Sequence, residues 1–78
     1  MRTATRIRRF ALELADGAGA SRDPLAEGVL DSLAIEQLIS FLEDQFDVVL
    51  EDEDLVAENF ARVERVAELV DAKRRHSG

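Results

Sequence analysis

The stretch Gly28-Val29-Leu30-Asp31-Ser32-Leu33 sets one hydroxyl between a carboxylate and an apolar side chain, directly ahead of a run with helical periodicity. The chemistry open to such a residue is that of an alcohol. Either Asp31 or Ser32 can act as the N-cap, because each short side chain can accept from the free backbone N–H groups of the first turn. A full capping box is absent, since the residue three after Ser32 is Ile35 rather than Glu or Gln. Ser32 has no base near it in sequence, so it is not a self-activated nucleophile. Other catalytic sets are missing too. One histidine, His76, sits in a basic tail and cannot complete a Ser-His-Asp arrangement. There is no cysteine, hence no thiolate nucleophile, disulfide framework or thiolate metal site, and no Walker-type glycine loop. The cluster Glu51-Asp52-Glu53-Asp54 lacks the sixth-position glycine of a calcium loop and reads instead as carboxylates at a helix start. No catalytic residue and no metal site are expected.

The elements that hold Ser32 follow from apolar spacing. Ile35, Leu38, Ile39, Leu42 and Phe46 form one stripe of a helix over about 32–45. Leu33, Glu36, Ser40, Glu43 and Asp47 fall on a separate acidic face with an apolar tip. A first helix over about 3–16 buries Ile7, Phe10, Ala11 and Leu14, with Thr3 or Thr5 as its cap and Gly17-Ala18-Gly19-Ala20 as its end. The loop that follows contains the only proline. Asp23-Pro24-Leu25 is a turn, or a proline-started helical turn, that tucks in Leu25 and Val29, and Gly28 takes a backbone conformation other residues resist. Val48-Val49-Leu50 is an extended connector with Val48 and Leu50 inward. A short third helix over about 54–58 buries Leu55, Asn59 breaks it, and Phe60 anchors in the core. A last helix over about 62–74 buries Val63, Val66, Ala67 and Val70, and residues 75–78 fray. The whole is one all-α domain over 1–78, a small four-helix bundle with three main helices, one short helix and a long loop between the first and second.

Charge sharpens the reading. The chain has 17 acidic and 10 basic residues, a net charge of −7. Arginines crowd the start (Arg2, Arg6, Arg8, Arg9) and basic residues the end (Lys73, Arg74, Arg75), while 14 acidic residues and only Arg62 and Arg65 lie between Asp23 and Glu68. That balance excludes nucleic acid as the main partner and suits steering toward a basic protein surface. No apolar run is long enough to span a membrane and no secretory h-region opens the chain, so a cytoplasmic location without membrane contact is expected.

Gly28 to Leu33, then Leu38, Leu42, Glu43 and Phe46, then Glu58-Asn59-Phe60, together resemble the acyl and peptidyl carrier proteins over about residues 7–70. The resemblance implies an acyl-carrier-like four-helix bundle and no enzymatic activity of its own. It puts on Ser32 a 4'-phosphopantetheine arm, delivered from coenzyme A by a separate phosphopantetheinyl transferase with its own metal ion. The arm's thiol would hold a cargo as a thioester. Implied partners are that transferase, an adenylating aminoacyl or acyl ligase, and a downstream transferase or synthase. Asp31, Leu33, Glu36, Ser40, Glu43 and Asp44 are the expected contact residues, and a monomer is the expected state. Fatty-acid carriers often have apolar residues where Glu36 and Ser40 stand here, and Glu58-Asn59-Phe60 looks more like carriers of peptide synthetases. A discrete carrier for an aminoacyl or short acyl group is therefore the expected function. The alternative is an unmodified acidic helical adaptor for a basic partner, with Ser32 only a cap.

Overall fold

A computed structural model describes residues 2–15 and 23–77, the last three of these by backbone alone. Four α-helices form a small all-α bundle: α1 (Thr3–Ala15), α2 (Pro24–Glu27), α3 (Ser32–Phe46) and α4 (Val63–Ser77). Two 3-10 turns, Asp52–Asp54 and Ala57–Phe60, lie between α3 and α4, and no strand occurs among the described residues.

The helices pack in the register their apolar stripes dictate. From α1, Ile7 is fully enclosed in one cluster with Leu38 and Leu42 of α3 and Val63, Val66 and Val70 of α4, and Ala11 is fully buried as well. Polar and aromatic contacts at the rim show the directions. Arg6 donates to Gln45 at 2.9 Å, and the Phe10 and Phe41 rings stack at 4.1 Å, so α1 runs antiparallel to α3. Thr3 donates to Asp71 at 3.1 Å and Arg8 pairs with Glu64, so α1 also runs antiparallel to α4. α3 and α4 are therefore parallel, and Ser32 lies at the same end of the bundle as Val63. Phe46 closes the opposite end, with the Arg6 guanidinium 4.7 Å above its ring and that of Arg74 at 5.8 Å.

The connector after α3 behaves as its alternation requires, with Val48 and Leu50 buried and Val49 exposed. Asp47 ends α3 in the left-handed region at φ 54°, where a short polar side chain is tolerated.

Several expectations change. The helix expected over 54–58 is instead a strap of two 3-10 turns separated by Leu55 and Val56. So short a stretch cannot nucleate an α-helix without tertiary help, and the Asn59 amide takes the Asp54 carbonyl at 2.9 Å. Leu55 is exposed and Phe60 only half-buried. α4 begins at Val63 and its backbone stays helical through Ser77, three residues past the expected end. Thr3 spends its hydroxyl on Asp71 and not on a cap. The expected end of the first helix at Asp16, the breaker Gly17 to Ala20, the side chain of His76 and residue Gly78 lie outside what is described.

One carboxylate joins two helix starts. Asp23 Oδ1 accepts from the Ala26 N–H at 3.1 Å and so caps α2, while Oδ2 accepts from the Val63 N–H at 3.0 Å and so caps α4. This bond spans 40 positions and fixes the segment leading to Ser32 on the start of α4. Replacing Asp23 with Ala removes both, with an expected loss of about 2 kcal/mol from a lost cap and a stranded half-buried N–H. Asp23→Asn keeps one carbonyl oxygen and is expected to recover roughly half of that in urea unfolding.

Candidate functional site

The site is assembled from the turn into α3. α2 is only four residues long, opened by Pro24 and closed by Gly28, whose N–H donates to the Leu25 carbonyl. Gly28 has φ +69° with open space around its missing Cβ, so the constraint there is the left-handed backbone and not crowding. Val29 and Leu30 then run half-buried to Asp31.

At Asp31 the two possible caps are resolved. Its extended backbone and carboxylate make it the N-cap of α3, accepting from the Ala34 N–H at 2.8 Å. Ser32 is the first helical residue. It is exposed, and among the described residues its hydroxyl has no hydrogen-bond partner. The usual structural employment of a serine at a helix start is thus taken by its neighbour, leaving the alcohol open to solvent and to another protein.

The expected contact residues divide. Leu33 is 63% exposed beside Ser32, and Glu36, Ser40 and Asp44 are exposed along one helix face with it. Glu43 differs: it is half-buried, and its carboxylate accepts from the Leu50 N–H at 2.9 Å. It holds the connector after α3, so part of the acidic face is structural. Among the described residues no cluster of acidic or imidazole side chains is arranged to hold a metal ion.

Beside Ser32 lies a feature the sequence reading passed over. A cleft of about 260 Å3 opens between α3 and the strap, lined by Ile35, Ile39, Leu55, Val56, Ala57 and Phe60. Ile35 and Ile39 belong to the stripe expected to be purely core, yet both are only half-buried. At about 100° per residue, Ile35 and Ile39 fall within roughly 60° of Ser32 around α3. That shared face was available in the sequence as a signal; the cleft itself needed the strap's position. The cleft is smaller than the roughly 300–1,000 Å3 of pockets that enclose drug-sized ligands. It suits a small apolar group.

The strap's polar side faces α4. Lys73 Nζ donates to Asp54 Oδ2 at 2.7 Å, and the same carboxylate oxygen accepts from the Glu51 N–H at 2.9 Å. The Lys73 bond, followed by the Glu51 N–H, holds the Asp54 carboxyl below its ordinary value of 3.8. The Asp54 bond, with Glu51 and Glu53 nearby, holds the Lys73 ammonium above its ordinary 10.5. At the other end Arg65 donates to Asn59 Oδ1 at 3.3 Å and approaches Glu58 at 3.8 Å.

No family model matches the chain, and no curated protein or solved structure matches it either.

The pair has a defined pH window. A depressed carboxyl contributes stability above its unfolded value that is lost as pH falls through the folded value; a raised ammonium contributes below its unfolded value and is lost as pH rises through the folded one. The pair therefore contributes fully between the ordinary values of 3.8 and 10.5, and its contribution fades as pH moves below the first or above the second. Asp54→Asn is expected to lower the melting temperature at neutral pH, with the gap to wild type closing as pH drops below 3.8.

Proposed function

We propose that this chain is a carrier domain that bears a 4'-phosphopantetheine arm on Ser32 and presents an aminoacyl or short acyl group to partner enzymes. The observation that carries the reading is the exposed Ser32 hydroxyl, without a hydrogen-bond partner among the described residues because Asp31 does the capping. A residue that must be modified by another protein needs access above all, and Ser32 is exposed. The resemblance of Gly28 to Leu33 and of the downstream spacing to the acyl and peptidyl carrier proteins supports the same reading.

The donor chemistry fits the group. A phosphodiester at the first residue of a fifteen-residue helix lies where the helix dipole favours negative charge. When bound, the arm supplies a thiol at the end of a flexible tether, which the cysteine-free chain cannot supply itself. The chain's own residues do the rest. Asp31 fixes the helix start, and with it the direction in which Ser32 leaves the bundle. Ile35 and Ile39 offer an apolar wall one and two turns along the same face, where a small apolar cargo can be kept from water. Leu33 supplies the apolar centre of a docking patch, rimmed by Asp31, Glu36, Ser40 and Asp44. Contacts of that kind are steered by charge, fast and weakened by salt. A tethered cargo then meets successive enzymes at an effective concentration on the order of millimolar. Partners in this reading are a phosphopantetheinyl transferase, an adenylating ligase and a downstream transferase or synthase.

Incubation with coenzyme A and a broad-specificity phosphopantetheinyl transferase is expected to add the mass of a single arm. The Ser32→Ala chain, with an unchanged helical circular dichroism spectrum, is expected to gain none. An unmodified wild type would refute the carrier role and leave an acidic helical adaptor. Charge reversal at Glu36 is expected to slow the modification several-fold at low salt and much less at high salt.

A further inference from the structure

The strap over residues 51–60 packs Phe60 against the core, but its polar ties are one-sided. Among the described residues, every hydrogen bond or ion pair that leaves it ends on α4, at Lys73 or Arg65. Toward α3 it shows only Leu55, Val56, Ala57 and Phe60, across the cleft from Ile35 and Ile39. Leu55 and Val56 remain 39% and 44% exposed, so the strap has not closed on α3. The Asn59 amide donates to the Asp54 carbonyl at 2.9 Å and ties the second turn to the first.

The two anchors differ. Lys73 reaches Asp54 through a 2.7 Å bond between groups only 25% and 13% exposed. Arg65 is shared among Glu68 at 3.1 Å, Asn59 at 3.3 Å and Glu58 at 3.8 Å, the two carboxylates well exposed and the Asn59 bond part-buried. The two basic residues are eight positions apart on α4, about 12 Å along its axis. With the first anchor gone, the second remains as a pivot. The backbone of the strap is 3-10 turn and irregular chain, the kind of structure that repositions at low free-energy cost.

We propose that Asp54 and Lys73 form a latch that holds the strap against α4 and thereby sets the aperture of the apolar cleft beside Ser32. The latch keeps the cleft open to a narrow group; released, the strap pivots on Arg65 and the cleft accepts a different range of apolar sizes. Both partners stay charged throughout the physiological pH range, so the latch is a fixed determinant of cleft shape and not a pH sensor. That the natural occupant is a cargo tethered at Ser32 rests on the carrier reading; the latch itself does not.

The test uses the unmodified full-length chain. Lys73→Met keeps the aliphatic stem and removes the charge, and Lys73→Arg keeps the charge. In native-state hydrogen exchange, Lys73→Met is expected to speed exchange of the amides from Leu55 to Phe60 by about tenfold or more, with those of α3 unchanged. Fluorescence titration with the uncharged probe N-phenyl-1-naphthylamine is expected to show a several-fold change in affinity in the same variant. Lys73→Arg should stay within about twofold of wild type in both. If Lys73→Met leaves the strap's exchange unchanged, or raises it only in step with α3, the latch is refuted. If the strap loosens while probe affinity stays constant, control of the aperture is refuted. Should Lys73→Met fail to fold, Asp54→Asn is read by the same two measurements and the same criteria. Neither readout needs the arm, so a strap that loosens in a chain no transferase modifies would sink the carrier reading and leave the latch.

Discussion

A helix or turn that starts in a small protein leaves backbone N–H groups without partners, and here carboxylates meet that demand. Asp31 takes the Ala34 N–H, Asp23 those of Ala26 and Val63, Asp54 that of Glu51, and Glu43 that of Leu50. The core can stay wholly apolar because this satisfaction happens at its rim: among the described residues no polar or charged residue is buried. The excess of acid over base, which looks from composition like a device for solubility or steering, is partly a set of backbone acceptors. Removing such a carboxylate withdraws a structural bond as well as a surface charge.

The consequence for Ser32 is direct. Adjacent short polar side chains at a helix start compete for the same N–H groups, and a carboxylate is the stronger acceptor. With Asp31 in the extended conformation at φ −83°, ψ −178°, the cap is Asp31 and Ser32 moves one position into the helix. Its side chain then leaves the bundle at the border between the apolar stripe and the exposed acidic face. The position is neither sealed nor isolated. On one side are Ile35 and Ile39 with their cleft, on the other Leu33, Glu36 and Ser40. An alcohol needed for packing would sit among the former, and one needed only for solubility among the latter.

What was legible in the sequence is what repeats at short range. Ile7 and Ala11, Leu38, Leu42 and Phe46, and Val63, Val66, Ala67 and Val70 are buried as their 3.6-residue spacing suggests, while Phe10 and Leu14 of the first stripe are only half-buried. The left-handed turn at Gly28 follows from local backbone chemistry and was equally readable, whereas at Asp23-Pro24-Leu25 the same chemistry allowed a plain turn as well as the short helix that forms inside the expected long loop. Long-range pairing was not. Nothing near Asp23 in the chain says that its second oxygen meets Val63, nor does anything near Asp54 name Lys73. Glu43 shares a helix face with exposed residues, so periodicity groups it with them, while the turn at Asp47 brings Leu50 back to it. Periodicity likewise enrolled Ile35 and Ile39 in the core. Whether an apolar face is covered depends on how near the opposing element comes, and that is set by the strap.

The strap's position is a contest between directional and non-directional forces. Closing it onto α3 would bury the remaining apolar surface of Leu55 and Val56, each gaining on the order of 1 kcal/mol by area. That gain has no preferred geometry and grows smoothly as the gap narrows. The hydrogen bonds to Lys73 and Arg65 do have a geometry, and they fix the strap at a distance from α3 where the apolar gain stays incomplete. In the proposed latch, the cleft lined by Ile35, Ile39, Leu55 and Phe60 stays open because polar ties on the far side set the strap's position against hydrophobic closure on the near side. An apolar group brought to the cleft from outside collects the burial that the chain's own side chains forgo, without needing to break those ties.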